Sequence, residues 1–386
     1  MGPGCSGNQP GKNKNRMSAN PFSEFASQLS QFIGRLRSSS SETVGTEGAC
    51  FEDLALRLFR LQFEHNLPYR NFCRAQGITE AKLALFAKIP AVNSAAFKDL
   101  DFTGIPPDQR TAVFHSSGTT GQQPSRHFHN PDSLRIYGES LLTWFQAQFG
   151  LGSEWSGFTP AFLTPPPMAA PQSSLVHMFE VLRRDSGATQ DAFLGAVAQD
   201  NTWGLDWLRI NDFLRKAIAA RRPVFLFGTA FSFVHLLDYL AERGEAVRLP
   251  QGSRVMETGG YKGRSRALPK SELHALITRW LGVGSERILC EYGMSELSSQ
   301  AYDSAGLGGV RHFRFPPWAR ARVISPETGE EVCDGETGII RVLDLANVYS
   351  VLAIETQDLA IRRGDAFELV GRAAEVEPRG CSLMAA

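Results

Sequence analysis

The sequence predicts an α/β fold in which a parallel sheet is followed by a β-rich portion. Three observations predict it. Helical apolar patterns alternate with short apolar runs along most of the chain, the pattern changes to strands and turns after Trp318, and one short run leads into a loop made of glycine and hydroxyl residues. The length of 386 residues allows a large core, and 42% apolar with 21% charged residues is ordinary for a globular chain.

Residues 1–20 are rich in Gly, Asn, Lys and Pro and read as a disordered leader, with Met17 as an alternative start. The stretch Met1-Gly2-Pro3-Gly4-Cys5-Ser6 fits an N-myristoylation pattern, which we read as accidental. Pro21 to Leu36 and Phe51 to His65 carry apolar residues at helical spacing. Phe158 to Gln172, with Pro160, Pro165, Pro166, Pro167 and Pro171, reads as a constrained loop that either lines a substrate pocket or is a rigid surface connection. Pro223 to Gly228 reads as a buried strand followed by a helix through Glu242, and a helix over Leu268 to Leu281 precedes a strand at Ile288. Beyond Trp318 strands are expected at Ala321 to Ile324 and Gly338 to Val342, with a turn at Asp334-Gly335 between them. Gly364 to Val370 alternates as a further strand running into Gly371-Arg372. No internal repeat or long linker divides the chain, so residues 21–317 form one core, 318–372 a β-rich subdomain and 373–386 a mobile tail.

Lys plus Arg and Asp plus Glu balance at 40 each, which argues against a nucleic-acid partner, and the basic cluster Lys12 to Arg16 is too short to argue otherwise. No run of eighteen apolar residues exists and the N-terminus has no apolar stretch, so neither a membrane span nor a signal peptide is expected and the chain reads as cytoplasmic. The six cysteines are scattered, with no C-x-x-C and no His pairing at zinc-ligand spacing, which suits a reducing compartment. Cys290 reads as a small core residue of an apolar strand, and most of the 26 Phe residues as core.

Function is carried by the loop Ser116-Ser117-Gly118-Thr119-Thr120-Gly121, which follows the run Thr111 to Phe114. Glycine lets the backbone approach an anion closely, and the hydroxyls add donors without bulk, so the loop suits phosphate. It is not a P-loop, because no Lys follows the second glycine. Downstream come the glycine turn Glu257-Thr258-Gly259-Gly260-Tyr261-Lys262-Gly263, the segment Glu291-Tyr292-Gly293-Met294-Ser295-Glu296, and Thr356-Gln357-Asp358-Leu359 ahead of Gly371-Arg372.

In this order the motifs resemble those of adenylate-forming enzymes, the acyl-CoA synthetases, luciferases and peptide-synthetase adenylation domains. Their loop reads roughly [ST]-S-G-[ST]-T-G-x-P-K; here Ser125-Arg126 replaces the Lys. The patterns S-S-G-T-T-G-x-x-P-S-R-H, E-T-G-G-[FY]-K-G and E-Y-G-M-[ST]-E-L-x-S-Q-x-Y are similar to acyl-protein synthetases of the LuxE type, over about residues 20 to 386. The resemblance implies the large domain of the adenylate-forming fold without its small mobile C-terminal domain, and with it a bacterial, ATP- and Mg²⁺-dependent enzyme that converts a fatty acid to acyl-AMP. It implies phosphate contacts from Ser116 to Gly121 and Ser295, a nucleotide loop at Gly259-Gly260, an adenine near Tyr292-Gly293, magnesium on Glu296, ribose on Asp358, and a closing pair Gly371-Arg372. It also implies an acylated cysteine near the C-terminus, for which Cys381 stands in place, and an acyl reductase partner of the LuxC type, in some systems with a thioesterase. Arg126, His127 or Lys262 would supply the cation that a swinging lysine supplies in related enzymes. An aryl- or acyl-CoA ligase of the phenylacetate type and a non-catalytic scaffold subunit are the alternatives.

Overall fold

The computed structural model describes residues 20–38, 44–79, 86–116, 123–150, 157–200, 202–259, 268–305 and 311–373. Three helices open the chain, α1 (Pro21–Ser38), α2 (Val44–His65) and α3 (Leu67–Ala75). Their apolar stripes, with Phe22, Phe25, Leu29, Phe51, Leu58 and Phe59, are buried. Asn66 caps α3 by accepting from the Tyr69 amide at 3.2 Å and donates to the Ser350 carbonyl at 3.1 Å. Gln62 donates to Asn347 O at 2.8 Å and accepts from Leu352 N at 2.8 Å, so these helices are tied to a chain segment nearly three hundred residues away.

A short strand β1 (Val92–Asn93) is followed by a hairpin, β2 (Ala112–His115) with β3 (Arg126–His129), the glycine-rich motif falling in the sequence between the two strands. Helix α4 (Pro131–Phe149) starts at a capping box between Asn130 and Ser133, with proline at the first position. Then strands and helices alternate: β4 (Thr159–Phe162), α5 (Ser174–Asp185), a small ribbon of β5 (Gly195–Val197) and β6 (Trp203–Leu205), α6 (Trp207–Ala220), β7 (Val224–Thr229), α7 (Ala230–Glu242), β8 (Arg254–Thr258), α8 (Lys270–Leu281) and β9 (Ile288–Tyr292). Strands β10 (Ala301–Ala305), β11 (Arg311–Arg314), β12 (Ala319–Ile324), β13 (Thr337–Asp344), β14 (Ala353–Arg363) and β15 (Ala366–Arg372) complete the described chain.

The main sheet runs β12-β13-β14-β15-β11-β10-β9-β8-β7-β4, with β1 beside β14. β4, β7, β8 and β9 are mutually parallel, and the pairings from β9 through β12 are antiparallel. Alternation along the parallel strands sorts the core into two layers. Val224, Leu226, Val255 and Ile288 pack with residues of α6, α7 and α8. Phe225, Phe227, Met256 and Leu289 pack with Phe145, Phe149, Phe179 and Leu182 of α4 and α5. Each fully buried Phe of that second layer contributes about 1.5–3 kcal/mol.

Two expectations need correction. Within Phe158 to Gln172, Thr159–Phe162 is a strand, not loop; Pro160 is tolerated because β4 is the sheet's edge and the lost amide faces no partner strand. Gly364-Asp365 is the β14–β15 turn rather than strand, since Gly364 takes φ +60° and the strand begins only at Ala366. The strands of 319–372 are hydrogen-bonded into the same sheet as the parallel strands, with Phe313 opposite Phe367 at the join.

Candidate functional site

The motif residues converge where the β2–β3 hairpin, the turn after β9 and the β14–β15 hairpin meet. Ser116 Oγ accepts from the Ser125 amide at 3.0 Å, closing the neck of the loop. Ser125 Oγ then donates to Glu296 Oε1 at 2.5 Å. His127 Nδ1 lies 2.8 Å from the Ser295 carbonyl, which can only accept, so Nδ1 carries the proton. Ser295 Oγ donates to the His115 carbonyl at 3.1 Å. Three hydrogen bonds therefore lace the turn Gly293–Glu296 onto the hairpin.

Glu296 is 4% exposed, unlike a solvated acid at a helix start, and burial raises its pKa. The turn is held from behind by residues that no motif signalled. Asp344, fully buried, accepts from the amides of Ser298, Ser299 and Ala346 and from Ser299 Oγ at 2.7–2.9 Å. Asn347 donates to the Glu296 carbonyl at 3.0 Å and accepts from Ser298 Oγ at 2.7 Å. They bear no chemistry of their own and lie about fifty residues from the Glu296 motif, so no pattern marked them.

Across the site, Tyr292 O–H donates to Asp358 Oδ2 at 2.9 Å, and the ring is enclosed by Phe313, Phe315 and Phe367. Asp358 sits opposite Arg372 in the β14–β15 ladder, and Arg372 Nε lies 3.6 Å from its Oδ1, with the guanidinium largely exposed. A register shift in this hairpin falls beside Gly371, whose φ of +148° only glycine adopts readily. Burial raises the Asp358 pKa. At Gly293 a Cβ would run into Glu291 Oε1, so a side chain there would displace the buried Glu291 carboxylate that accepts from Thr258. Gly259, at φ +67°, turns the chain just past β8.

The candidate cations separate. His127 is 3% exposed, and burial pushes its pKa down to about 4, so it is neutral at pH 7 and positions the turn. Arg126 is bound to Asp101 through Nε at 3.0 Å and a terminal nitrogen at 2.8 Å, beside Arg110, which reaches the same carboxylate at 3.1 Å. Lys262, Ser117, Gly118, Thr119, Thr120, Gly121, Gly260 and Cys381 lie outside the described residues.

On the opposite face of β8 and β9, Glu257, His274 and Cys290 form a buried polar group. Cys290 is buried as expected of a core residue, yet it donates its S–H to a carboxylate.

Residues 192–386 match the family model described as acyl-protein synthetase, LuxE. The chain belongs to the LuxE acyl-protein synthetase family. Two relatives within reach of this family are long-chain-fatty-acid–luciferin-component ligases. That of Vibrio harveyi is 23% identical over 337 residues, 84% of each chain, and that of Aliivibrio fischeri is 22% identical over 346 residues, 86% of each. Among solved structures, 2-hydroxyisobutyryl-CoA ligase in its postadenylation state superposes with a TM-score of 0.60 at 14% identity, over 83% of this chain and 67% of that one. Its open conformation gives 0.57 over 82% and 74%. This LuxE-family chain thus has the adenylate-forming ligase fold. Among the described residues, no helix is long and apolar enough to cross a membrane.

Proposed function

We propose that this enzyme activates a fatty acid with ATP and carries the acyl group on its own Cys381. The observation that carries the reading is the lacing of Ser125, His127, Ser295 and Glu296 into one turn at the phosphate loop, with Asp358 across from it. Family membership and the names of the two ligase relatives support the substrate class.

The acid's carboxylate oxygen attacks the α-phosphorus of ATP; the bond to the β-phosphate oxygen breaks and pyrophosphate leaves. Ser116 to Gly121 hold the phosphates, Tyr292 borders the adenine, and Asp358 accepts the ribose hydroxyls while Arg372 pairs with it. Most of the rate comes from fixed donors and charge already in place. The donor set fits Mg²⁺: Glu296 offers one buried hard carboxylate beside a phosphate loop, and phosphate and water oxygens supply the rest of such a shell. Bound there, the ion neutralises phosphate charge. The Cys381 sulfur then attacks the acyl carbonyl, the carbon–sulfur bond forms, the bond to AMP breaks, and the thiol proton passes to solvent. An acyl reductase of the LuxC type is the consumer of the thioester, and a thioesterase a source of the acid.

Intact mass after incubation with ATP, Mg²⁺ and C8 to C18 fatty acids, with pyrophosphate release followed in parallel, tests this on wild type and Cys381→Ser. The expected result is an acyl increment lost in the variant while pyrophosphate is still released. Pyrophosphate release without an adduct on wild type assigns the acceptor to coenzyme A or a carrier, and neither signal leaves a non-catalytic subunit.

A further inference from the structure

Glu257 ends its side chain on the α8 face of β8, Cys290 on the same face of β9, and His274 reaches both from α8. Cys290 Sγ is 2.8 Å from Glu257 Oε1 and 3.6 Å from His274 Nε2, and that nitrogen is 3.5 Å from the same Oε1. These three edges enclose a point about 1.9 Å from all three atoms, so a cation slightly out of their plane lies within the roughly 2.0–2.3 Å of zinc bonds to oxygen, nitrogen and sulfur. We propose that Glu257, His274 and Cys290 form a binding site for a borderline-soft divalent cation, of which Zn²⁺ is the best match.

The convergence distinguishes this group from a nucleophile-activating triad. In such a relay the imidazole uses one nitrogen on the nucleophile and the other on the acid. Here a single nitrogen faces both thiol and carboxylate, which is how donors face a shared ion. All three side chains are buried, and a mixed sulfur, nitrogen and oxygen set disfavours magnesium and calcium, which take oxygen alone. No other group of at least three His, Cys, Asp or Glu residues with metal-ligand spacing occurs among the described residues.

One neighbour competes. Lys270 Nζ lies 3.4 Å from Glu257 Oε1 and 4.9 Å from the centre of the Phe313 ring, on a side chain that is 43% exposed. In the metal-free chain the ammonium and the thiol hydrogen both serve that oxygen. Metal uptake forms the bonds to sulfur, nitrogen and oxygen, releases the thiol proton to solvent, and turns the ammonium outward along its exposed side. The ion would pin α8 to β8 one residue before Thr258-Gly259 and to β9 two residues before Tyr292. It would brace the strand ends that carry the candidate site without touching it. The inference does not depend on the proposed reaction.

The test is Co²⁺ titration of the reduced full-length protein after metal stripping, followed by Zn²⁺ displacement and metal analysis of the untreated protein. The site predicts one equivalent of Co²⁺ with a near-ultraviolet thiolate charge-transfer band, removed by Zn²⁺. The band is absent in Cys290→Ser and unchanged in Cys333→Ser, which removes an exposed thiol. His274→Gln weakens binding about tenfold or more. Because Cys290→Ser alters the core, Lys270→Met gives the second reading: removing the competing ammonium tightens Co²⁺ binding about tenfold. No charge-transfer band with stoichiometric Co²⁺, or a band that survives Cys290→Ser, overturns the proposal and leaves a buried ion pair between Lys270 and Glu257.

Discussion

Strands β8 and β9 carry polar residues on both faces, and the two faces were assembled in different ways. On the α4–α5 face, Thr258 donates to Glu291, and the turn beyond β9 is laced to the hairpin by Ser125, His127 and Ser295. Those residues belong to short motifs that are themselves far apart, Thr258 and Glu291 by 33 residues and Ser125 and Glu296 by 171, but each motif shows in the sequence. On the α8 face, Cys290 and His274 stand 16 residues apart, and Cys290 and Glu257 stand 33 apart. A phosphate-binding turn needs neighbouring backbone amides and so leaves a local signature. A cluster built from three separate elements needs only the sheet register, which places Glu257 opposite Cys290, so Cys290 and His274 stand outside every motif and Glu257 shows only as the start of the glycine turn.

The sharpest way to break the first face is from behind. Asp344→Ala removes the acceptor for three amides and a hydroxyl, so unpaired buried donors replace satisfied ones. Unfolding in urea should show a loss of about 3 kcal/mol or more. A loss under about 0.5 kcal/mol means that the turn does not depend on this anchor.

The next effect is read with pH. His127 has a folded pKa of about 4, below the ordinary 6.5, so the unfolded chain binds the extra proton between those values. Its contribution is complete above pH 6.5 and is lost as pH falls toward 4, by about 3 kcal/mol at most. His177, also held near 4 by burial, adds a parallel loss. His129, which burial pushes well below its ordinary value, adds another. His127→Asn, which keeps a donor toward Ser295, should flatten stability against pH between 6.5 and 4 by about a third. An unchanged slope contradicts a buried neutral His127.

The smallest effect is expected at Arg126. Its hydrogen bond and ion-pair contact with Asp101 engage the guanidinium, and the pair is partly exposed. Arg126→Ala should lower the rate of pyrophosphate release less than about tenfold, near 1 kcal/mol. A loss of a hundredfold or more would make Arg126, despite Asp101, the cation that serves the α-phosphate.

Much of the fold was legible because packing periodicity is local. Val224–Thr229 with Ala230–Glu242, the helix ending at Leu281 and the strand at Ile288 follow the apolar pattern, since each buries one face or both. Pro160 misled, because proline reads as loop unless the strand is known to lie at a sheet edge, and edge position is a property of the whole sheet. Gly364 misled for the reverse reason, since alternation in its neighbours extended the strand through a position whose φ requires a turn. In the candidate site the motif residues Glu296, Tyr292 and Asp358 were legible. Asp344 and Asn347 were not, because a residue that only holds another in place bears no chemistry of its own.

The most direct test of the central claim is fatty-acid-dependent exchange of labelled pyrophosphate into ATP, compared between wild type and Glu296→Gln. The account predicts exchange that requires both the acid and Mg²⁺ and falls about a hundredfold or more in the variant, while the fold keeps its thermal midpoint within a few degrees. Exchange at the wild-type rate in Glu296→Gln, or none with any acid on the intact protein, would contradict it.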